Sequence, residues 1–122
     1  MRAAGRIAGL LGLGLALQSA PAAAAGPPQR IMTTNLCADL LVLQMVPKAR
    51  IASVTYLAKS GAEALFPGAE AGLPVNRGTA EDILNLRPDL IVADDFSTPM
   101  TRRMARRVGA RLYELKSTAT FA

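Results

Sequence analysis

Short apolar runs alternate along the chain with longer segments in which apolar residues recur at helical spacing. Apolar runs rich in β-branched residues predict strands at residues 30–34, 51–55, 74–76, 89–93 and 111–115. The segments that follow the first, third and fourth of these runs have helical spacing. Strands that alternate with helices predict an α/β fold, a parallel sheet of about five strands with covering helices.

Three of the intervening segments begin with residues that favour the start of a helix. Asn35, Thr79 and Thr98 can each cap a helix, and Asp82 can complete a capping box with Thr79. The predicted inward faces are formed by Leu36, Leu40, Leu43 and Val46, by Ile83, Leu84 and Leu86, and by Met100, Met104 and Val108. Residues 57–73 contain glycines and a proline, which leaves open either a helical turn at residues 62–66 or a loop.

Polar and aromatic residues follow the predicted strands. In parallel sheets, ligands bind beyond the carboxyl ends of the strands, so these residues are the candidates for a ligand site. The predicted ligand-binding residues are Thr34, Asn35, Thr55, Tyr56, Asn76, Arg77, Asp95, Phe96 and Ser97.

The first 25 residues have the layout of a secretory signal. Arg2 and Arg6 give a positive start, residues 7–17 carry no charge, and residues 20–25 are small with several A-x-A cleavage frames. A membrane anchor is the rival interpretation, but the apolar run would span roughly 16 Å as a helix, against ~30 Å for a bilayer core. We therefore expect export to the periplasm, cleavage between Ala22 and Ala25, and one mature domain at residues 26–122.

The composition removes several kinds of chemistry. The chain has no His, which is the commonest general base and metal ligand, and its one cysteine, Cys37, excludes an intramolecular disulfide. Gly78 stands at a strand-to-helix turn without a phosphate-binding motif around it. Asp94 and Asp95 could hold a cation or act as acid and base, but a solvated loop is the favoured interpretation. Cys37 could be an activated nucleophile, but a small core residue is favoured. We expect no cofactor and no bound metal.

Five arginines form a basic stripe near the last predicted helix: Arg102, Arg103, Arg106, Arg107 and Arg111. Such a stripe could contact nucleic acid, but export and the lack of interleaved aromatic residues favour a solvated outer face. Removal of Arg2 and Arg6 with the signal also lowers the net charge of +5 by two. We expect no nucleic-acid partner.

Three segments together resemble the periplasmic solute-binding proteins of ABC importers for iron-siderophores and cobalamin. They are residues 30–41 (RIMTTNLCADLL), residues 50–55 (RIASVT) and, above all, residues 78–93 (GTAEDILNLRPDLIVA). The last segment is the most specific, because the family places an acidic residue, an aliphatic pair and Lys/Arg-Pro-Asp-Leu before a buried strand in this way. The resemblance covers residues 29–122.

The resemblance implies two α/β lobes joined by a long helix, with a metal chelate or corrinoid held between them. The chain ends after the fifth predicted strand, so we expect the N-terminal lobe of this two-lobed fold, as a monomer. Tyr56 and Phe96 are the candidates for an aromatic wall, and Glu81 matches a glutamate that contacts arginines on the membrane permease. The expected function is binding, without enzymatic activity. The alternatives are a truncated remnant that binds nothing and a small secreted α/β enzyme.

Overall fold

The computed structural model describes residues 26–116, which form a five-stranded sheet with helices on both faces. The elements in chain order are β1 Ile31–Thr33, α1 Leu36–Met45, β2 Ile51–Thr55, α2 Ala58–Gly61, β3 Val75–Asn76, α3 Ala80–Leu86, β4 Leu90–Asp94, α4 Pro99–Val108 and β5 Arg111–Leu115, with a 3₁₀ turn at Lys48–Arg50 before β2. The five predicted strands are confirmed, each to within one residue at either end. The signal predicted at residues 1–25 lies outside the described residues.

All strand pairs are parallel, and the strand order is β3-β2-β1-β4-β5. The chain winds outward from β1 to β3, crosses to β4 and then continues to β5. This order gives a doubly wound sheet, in which the winding direction reverses between β1 and β4. The predicted α/β fold is therefore confirmed, and sheets of this topology bind ligands where those two strands end.

Neighbouring residues of β1 and of β4 point to opposite faces and so supply two cores. Helices α1 and α2 cover one face, over a core of Ile31, Ala38, Val42, Ile51, Val54, Ala58, Ala62 and Val92. Helices α3 and α4 cover the other, over a core of Met32, Ile83, Ile91, Ala93, Met104 and Ala105. The alternation of Ile31 with Met32 on β1 divides the two layers, as the pleat of a strand requires.

The predicted helix starts are confirmed by their caps. Asn35 Oδ1 accepts a hydrogen bond from Ala38 N–H (2.8 Å), and Thr98 Oγ1 accepts one from Thr101 N–H (3.2 Å). Thr79 and Asp82 form the predicted capping box, in which each side chain accepts a bond from the other's backbone. These caps fix where each helix leaves the carboxyl edge of the sheet.

Several predictions about inward faces are wrong. Cys37 is exposed rather than part of the core, while Asp39 is fully buried on the inward side of α1. Leu84 is 42% exposed and Met100 is 48% exposed. The reason is geometric: the buried stripe of a helix repeats every three to four residues, and Leu84 lies about 100° around the axis from the buried Ile83.

The ambiguous segment at residues 57–73 begins with a short helix that the sequence does not predict there. Helix α2 lies at Ala58–Gly61, before the region proposed for a helical turn. Ala62 to Phe66 forms one hydrogen-bonded turn, in which Phe66 N–H donates to Ala62 O (2.6 Å). Within residues 26–116, no helix combines the length and the apolar character that crossing a bilayer requires.

Candidate functional site at the carboxyl edge of the sheet

A buried carboxylate lies beneath the carboxyl ends of β1 and β2. Asp39 Oδ1 accepts hydrogen bonds from the Thr33 hydroxyl and from Thr55 N–H (2.9 Å), and Oδ2 accepts one from the Thr55 hydroxyl (2.5 Å). All three residues are at most 2% exposed. Helix α1 is thus tied to both strands through one side chain, and three donors are satisfied away from water.

Asn76 extends this buried polar cluster to β3. Its Nδ2 donates to Thr33 O (3.0 Å) and to Ser53 Oγ (2.8 Å), and its Oδ1 accepts from Gly78 N–H (2.9 Å). Asn76 is 1% exposed and Ser53 is fully buried. We refer to Thr33, Asp39, Ser53, Thr55 and Asn76 as the buried polar cluster.

The turn from β3 to α3 depends on a glycine. Gly78 has φ of +70°, in the left-handed region that glycine adopts without a steric penalty. A Cβ built at Gly78 would lie 3.6 Å from Thr34 Cβ and from Thr34 O. The β3–α3 turn therefore passes directly over the end of β1, and the segments carrying Thr34 and Arg77 are brought together.

Tyr56 and Arg77 form an exposed pair on this edge. The Arg77 guanidinium lies over the Tyr56 ring, 5.5 Å from the ring centroid, which is within the range of a cation–π contact. Tyr56 is 52% exposed, and its N–H donates to Asn76 O (3.0 Å) in the β2–β3 ladder. The pair presents an aromatic surface and a cation side by side.

Asp82 anchors the backbone next to this pair. Its Oδ2 accepts from Arg77 N–H (2.9 Å), from Thr79 N–H (3.1 Å) and from the Thr79 hydroxyl (2.9 Å). Burial alone would raise the pKa of Asp82, but these bonds and the Arg77 charge outweigh it and lower the pKa below the ordinary value of 3.8. The carboxylate is therefore ionised at neutral pH and holds the start of α3 in place.

The loop after β4 lies at the same edge of the sheet. Phe96 is 77% exposed, while Ser97 N–H and the Ser97 hydroxyl both donate to Asp94 O (3.1 and 2.7 Å). Asp95 is exposed, and its N–H donates to Leu115 O (3.1 Å) on β5. Phe96 thus projects from a loop whose backbone is tied to the neighbouring strand.

At the end of β1, Asn35 Nδ2 is shielded from solvent and has no hydrogen-bond partner within the described residues. Thr34, next to it, is half-buried, and its N–H donates to Val92 O (3.1 Å). A shielded amide donor of this kind is ordinarily satisfied by a ligand oxygen or an ordered water. It lies at the point where the winding of the sheet reverses.

Five of the nine sequence-predicted ligand residues divide into two groups. Tyr56, Arg77 and Phe96 present exposed side chains at one edge of the sheet. Thr55 and Asn76 are buried, and their side chains bond to other protein groups, so they support the edge from below. The sequence analysis did not identify Asp39 as part of this site. Its position four residues after the Asn35 cap, on the inward face of α1, is the signal that could have indicated a buried polar role.

The basic stripe lies on a different surface. Arg103, Arg106 and Arg107 are exposed on α4, while Arg102 forms an ion pair with Glu114 (2.8 Å). A hollow of about 460 Å³ between α3 and α4 is lined by Leu84, Arg87, Arg107 and Val108. None of the predicted ligand residues lines this hollow. Among residues 26–116, no group of three or more His, Cys, Asp or Glu side chains could hold a metal ion.

No protein-family profile matches the chain, and no curated protein matches it in sequence. Among solved structures, the chain is similar to a periplasmic haem-binding protein from Pseudomonas aeruginosa, with 22% sequence identity and a TM-score of 0.48. The match covers 74% of this chain and 32% of that protein, so the chain spans about a third of its length.

Proposed function

We propose that this chain is an extracytoplasmic solute-binding lobe that captures a metal chelate, such as a ferric siderophore or haem, or a corrinoid, and delivers it to the permease of an ABC importer. The observation that carries the proposal is the carboxyl edge of the sheet. There Tyr56, Arg77 and Phe96 are exposed at the carboxyl edge of a doubly wound sheet, where ligands bind in such folds.

The chemistry of this edge favours binding over catalysis. Exposed aromatic rings beside a cation suit a large, partly conjugated ligand, whereas a hydrolase needs a nucleophile and a positioned base. The exposed Cys37 has no histidine partner, because the chain contains none. The sequence resemblance at residues 78–93 supports the same assignment and supplies the permease as the partner.

Calorimetry tests this function directly. Residues 26–122 are titrated with a ferric trihydroxamate, haem and cobalamin, and the same panel is applied to a version extended by a second α/β lobe. We expect weak binding by the single lobe and tight binding by the extended version, because one wall buries about half of the ligand surface that a closed cleft buries. Equal affinity of the two versions would contradict the two-lobed arrangement, and the absence of binding by both would refute the function.

Export has its own measurement. When the full chain is expressed in a Gram-negative cell, we expect the periplasmic protein to begin between Ala23 and Gly26. Intact-mass spectrometry of the periplasmic fraction identifies the first residue. A mass that still includes Met1 or Arg2 would contradict both the signal and the periplasmic location.

A further inference from the structure

We propose that the Tyr56–Arg77 pair is a preformed recognition site for a carboxylate on the ligand, set beside an aromatic or conjugated surface of the same molecule. This inference rests on the proposed function and narrows its ligand class. Among metal chelates and corrinoids, it selects those with a free carboxylate at the rim. Three features of the edge support it: the fixed backbone around each residue, the lack of an ion pair at Arg77, and the shape of the pair.

The backbone around Tyr56 is fixed from both sides. Thr55, which precedes it, donates its N–H and its hydroxyl to the buried Asp39. Leu57 N–H donates to Thr55 Oγ1 (3.3 Å), and Tyr56 N–H itself donates to Asn76 O. An exposed aromatic ring is thus mounted on a backbone that a buried carboxylate holds in place.

The backbone around Arg77 is fixed in the same way. Asn76 on one side is buried, and its Oδ1 accepts the N–H of Gly78 on the other side. Arg77 N–H donates to Asp82 Oδ2. Hydrogen bonds that hold the backbone on both sides of two exposed residues lower the entropy lost when a ligand is bound, which is how preorganised sites gain affinity.

No carboxylate among the described residues lies within ion-pair distance of the Arg77 guanidinium. Within residues 26–116 the ion pair is Arg102–Glu114, and the Arg77 guanidinium forms none. Asp82, whose pKa the Arg77 charge helps to lower, uses its Oδ2 on backbone N–H groups and on the Thr79 hydroxyl. A planar guanidinium with free donors matches the two oxygens of a carboxylate, and the Tyr56 ring beneath it offers a flat apolar surface.

The test uses benzoate and benzamide, which share a ring and differ in charge. Their binding to residues 26–122 is followed by NMR, through the Nε–H signals of the arginines and the ring signals of Tyr56. We expect benzoate to shift the Arg77 and Tyr56 signals saturably, and benzamide to bind at least about 10-fold more weakly. Arg77→Gln should abolish the difference. Arg103→Gln, which removes the same charge from an exposed position on α4, should preserve it.

Equal shifts from benzoate and benzamide, or benzoate shifts that persist in Arg77→Gln, would overturn the inference. The larger ligands separate it from the proposed function. A neutral ferric trihydroxamate and its carboxylated analogue are titrated in parallel, and we expect the carboxylated one to bind at least about 10-fold more tightly. Equal binding of both would retain the function and refute carboxylate selection. Benzoate recognition without binding of either chelate would retain the carboxylate site and refute the function.

Discussion

The two edges of the sheet use their polar side chains in opposite ways. At the amino edge, Asp89 accepts the N–H groups of Gln29 (2.7 Å) and Arg30 (3.0 Å). The Arg30 guanidinium donates to Leu86 O (2.5 Å) and Arg87 O (3.3 Å). These charged side chains form hydrogen bonds to backbone groups and so join the start of β1 to the segment between α3 and β4.

At the carboxyl edge, the polar groups are arranged in two layers. The buried polar cluster satisfies its own members, while Tyr56, Arg77 and Phe96 stand exposed above it. This difference between the edges indicates that a ligand can bind at the carboxyl edge. At the amino edge, Asp89 and Arg30 already form hydrogen bonds within the chain. At the carboxyl edge, the exposed side chains lie on a fixed backbone and remain accessible.

The substitution with the largest expected effect on stability removes the carboxylate beneath the carboxyl edge. Asp39→Ala leaves two hydroxyls and one N–H without their buried acceptor. Hydrogen bonds to a charged group contribute ~1.5–3 kcal/mol each, so we expect the free energy of unfolding to fall by at least about 3 kcal/mol. That is a large part of the stability of a small domain. Urea unfolding measures the loss.

Asp39→Asn is the matched control for this change. It keeps the shape and one acceptor oxygen, so we expect a smaller loss of about 1–2 kcal/mol. If Asp39→Ala unfolds at the same urea concentration as the unmodified chain, the buried polar cluster does not support the edge.

The next largest effect belongs to the amino edge and depends on pH. Burial alone would raise the pKa of Asp89, but hydrogen bonds from Gln29 and Arg30 and the charge of Arg111 outweigh it and lower the pKa below 3.8. A lowered folded-state pKa gives stability that is present above pH 3.8 and is lost as the pH falls through the folded-state value. Asp82 acts in the same direction.

We therefore expect Asp89→Asn to lower the free energy of unfolding by about 1 kcal/mol at neutral pH, since an amide has one acceptor oxygen for two N–H donors. This difference should shrink as the pH falls below 3.8. Urea midpoints measured across that range test it, with Asp82→Asn as the comparison at the carboxyl edge. A difference that stays constant with pH would show that the Asp89 charge does not contribute.

Two glycines in the loops allow a comparison of similar expected size. Gly78 and Gly72 both have positive φ, of +70° and +78°, so alanine at either position should cost about 1 kcal/mol of unfolding free energy. Only the Gly78 turn carries Arg77. We expect Gly78→Ala to shift the Arg77 Nε–H signal in NMR spectra and Gly72→Ala to leave it unchanged. Equal shifts would mean that the β3–α3 turn does not position Arg77.

Apart from helix α2, the fold could be predicted from sequence because its elements have local signals. Apolar runs and the caps at Asn35, Thr79 and Thr98 depend only on neighbouring residues. The carboxyl edge followed from parallel topology. The role of Asp39 could not be predicted, because its partners Thr33 and Thr55 lie on two strands and approach it only after the sheet forms. Leu84 was misplaced because a seven-residue helix has a narrow inward stripe.

The smallest expected effect on stability concerns Glu81. Substituting this residue tests whether the carboxyl edge also contacts a permease. Glu81 is exposed at the second position of α3 and follows Arg77 by four residues in the sequence. A carboxylate there stabilises the helix by only ~0.5 kcal/mol, and Thr79 still caps it in the alanine variant. From the sequence resemblance we expect Glu81 to contact an arginine pocket on a permease, where a partly desolvated ion pair contributes more than an exposed one.

In a two-lobed version, we expect Glu81→Ala to leave ligand affinity nearly unchanged. We expect the same variant to stimulate ATP hydrolysis by the ABC importer in reconstituted vesicles several-fold less than the unmodified protein does. Asn85→Ala is the control, since it lies one turn further along the exposed face of α3. If both variants lower ATP hydrolysis equally, the effect belongs to the helix surface in general. If Glu81→Ala weakens ligand binding and spares ATP hydrolysis, Glu81 acts on the ligand side of the edge, and the permease contact must lie elsewhere.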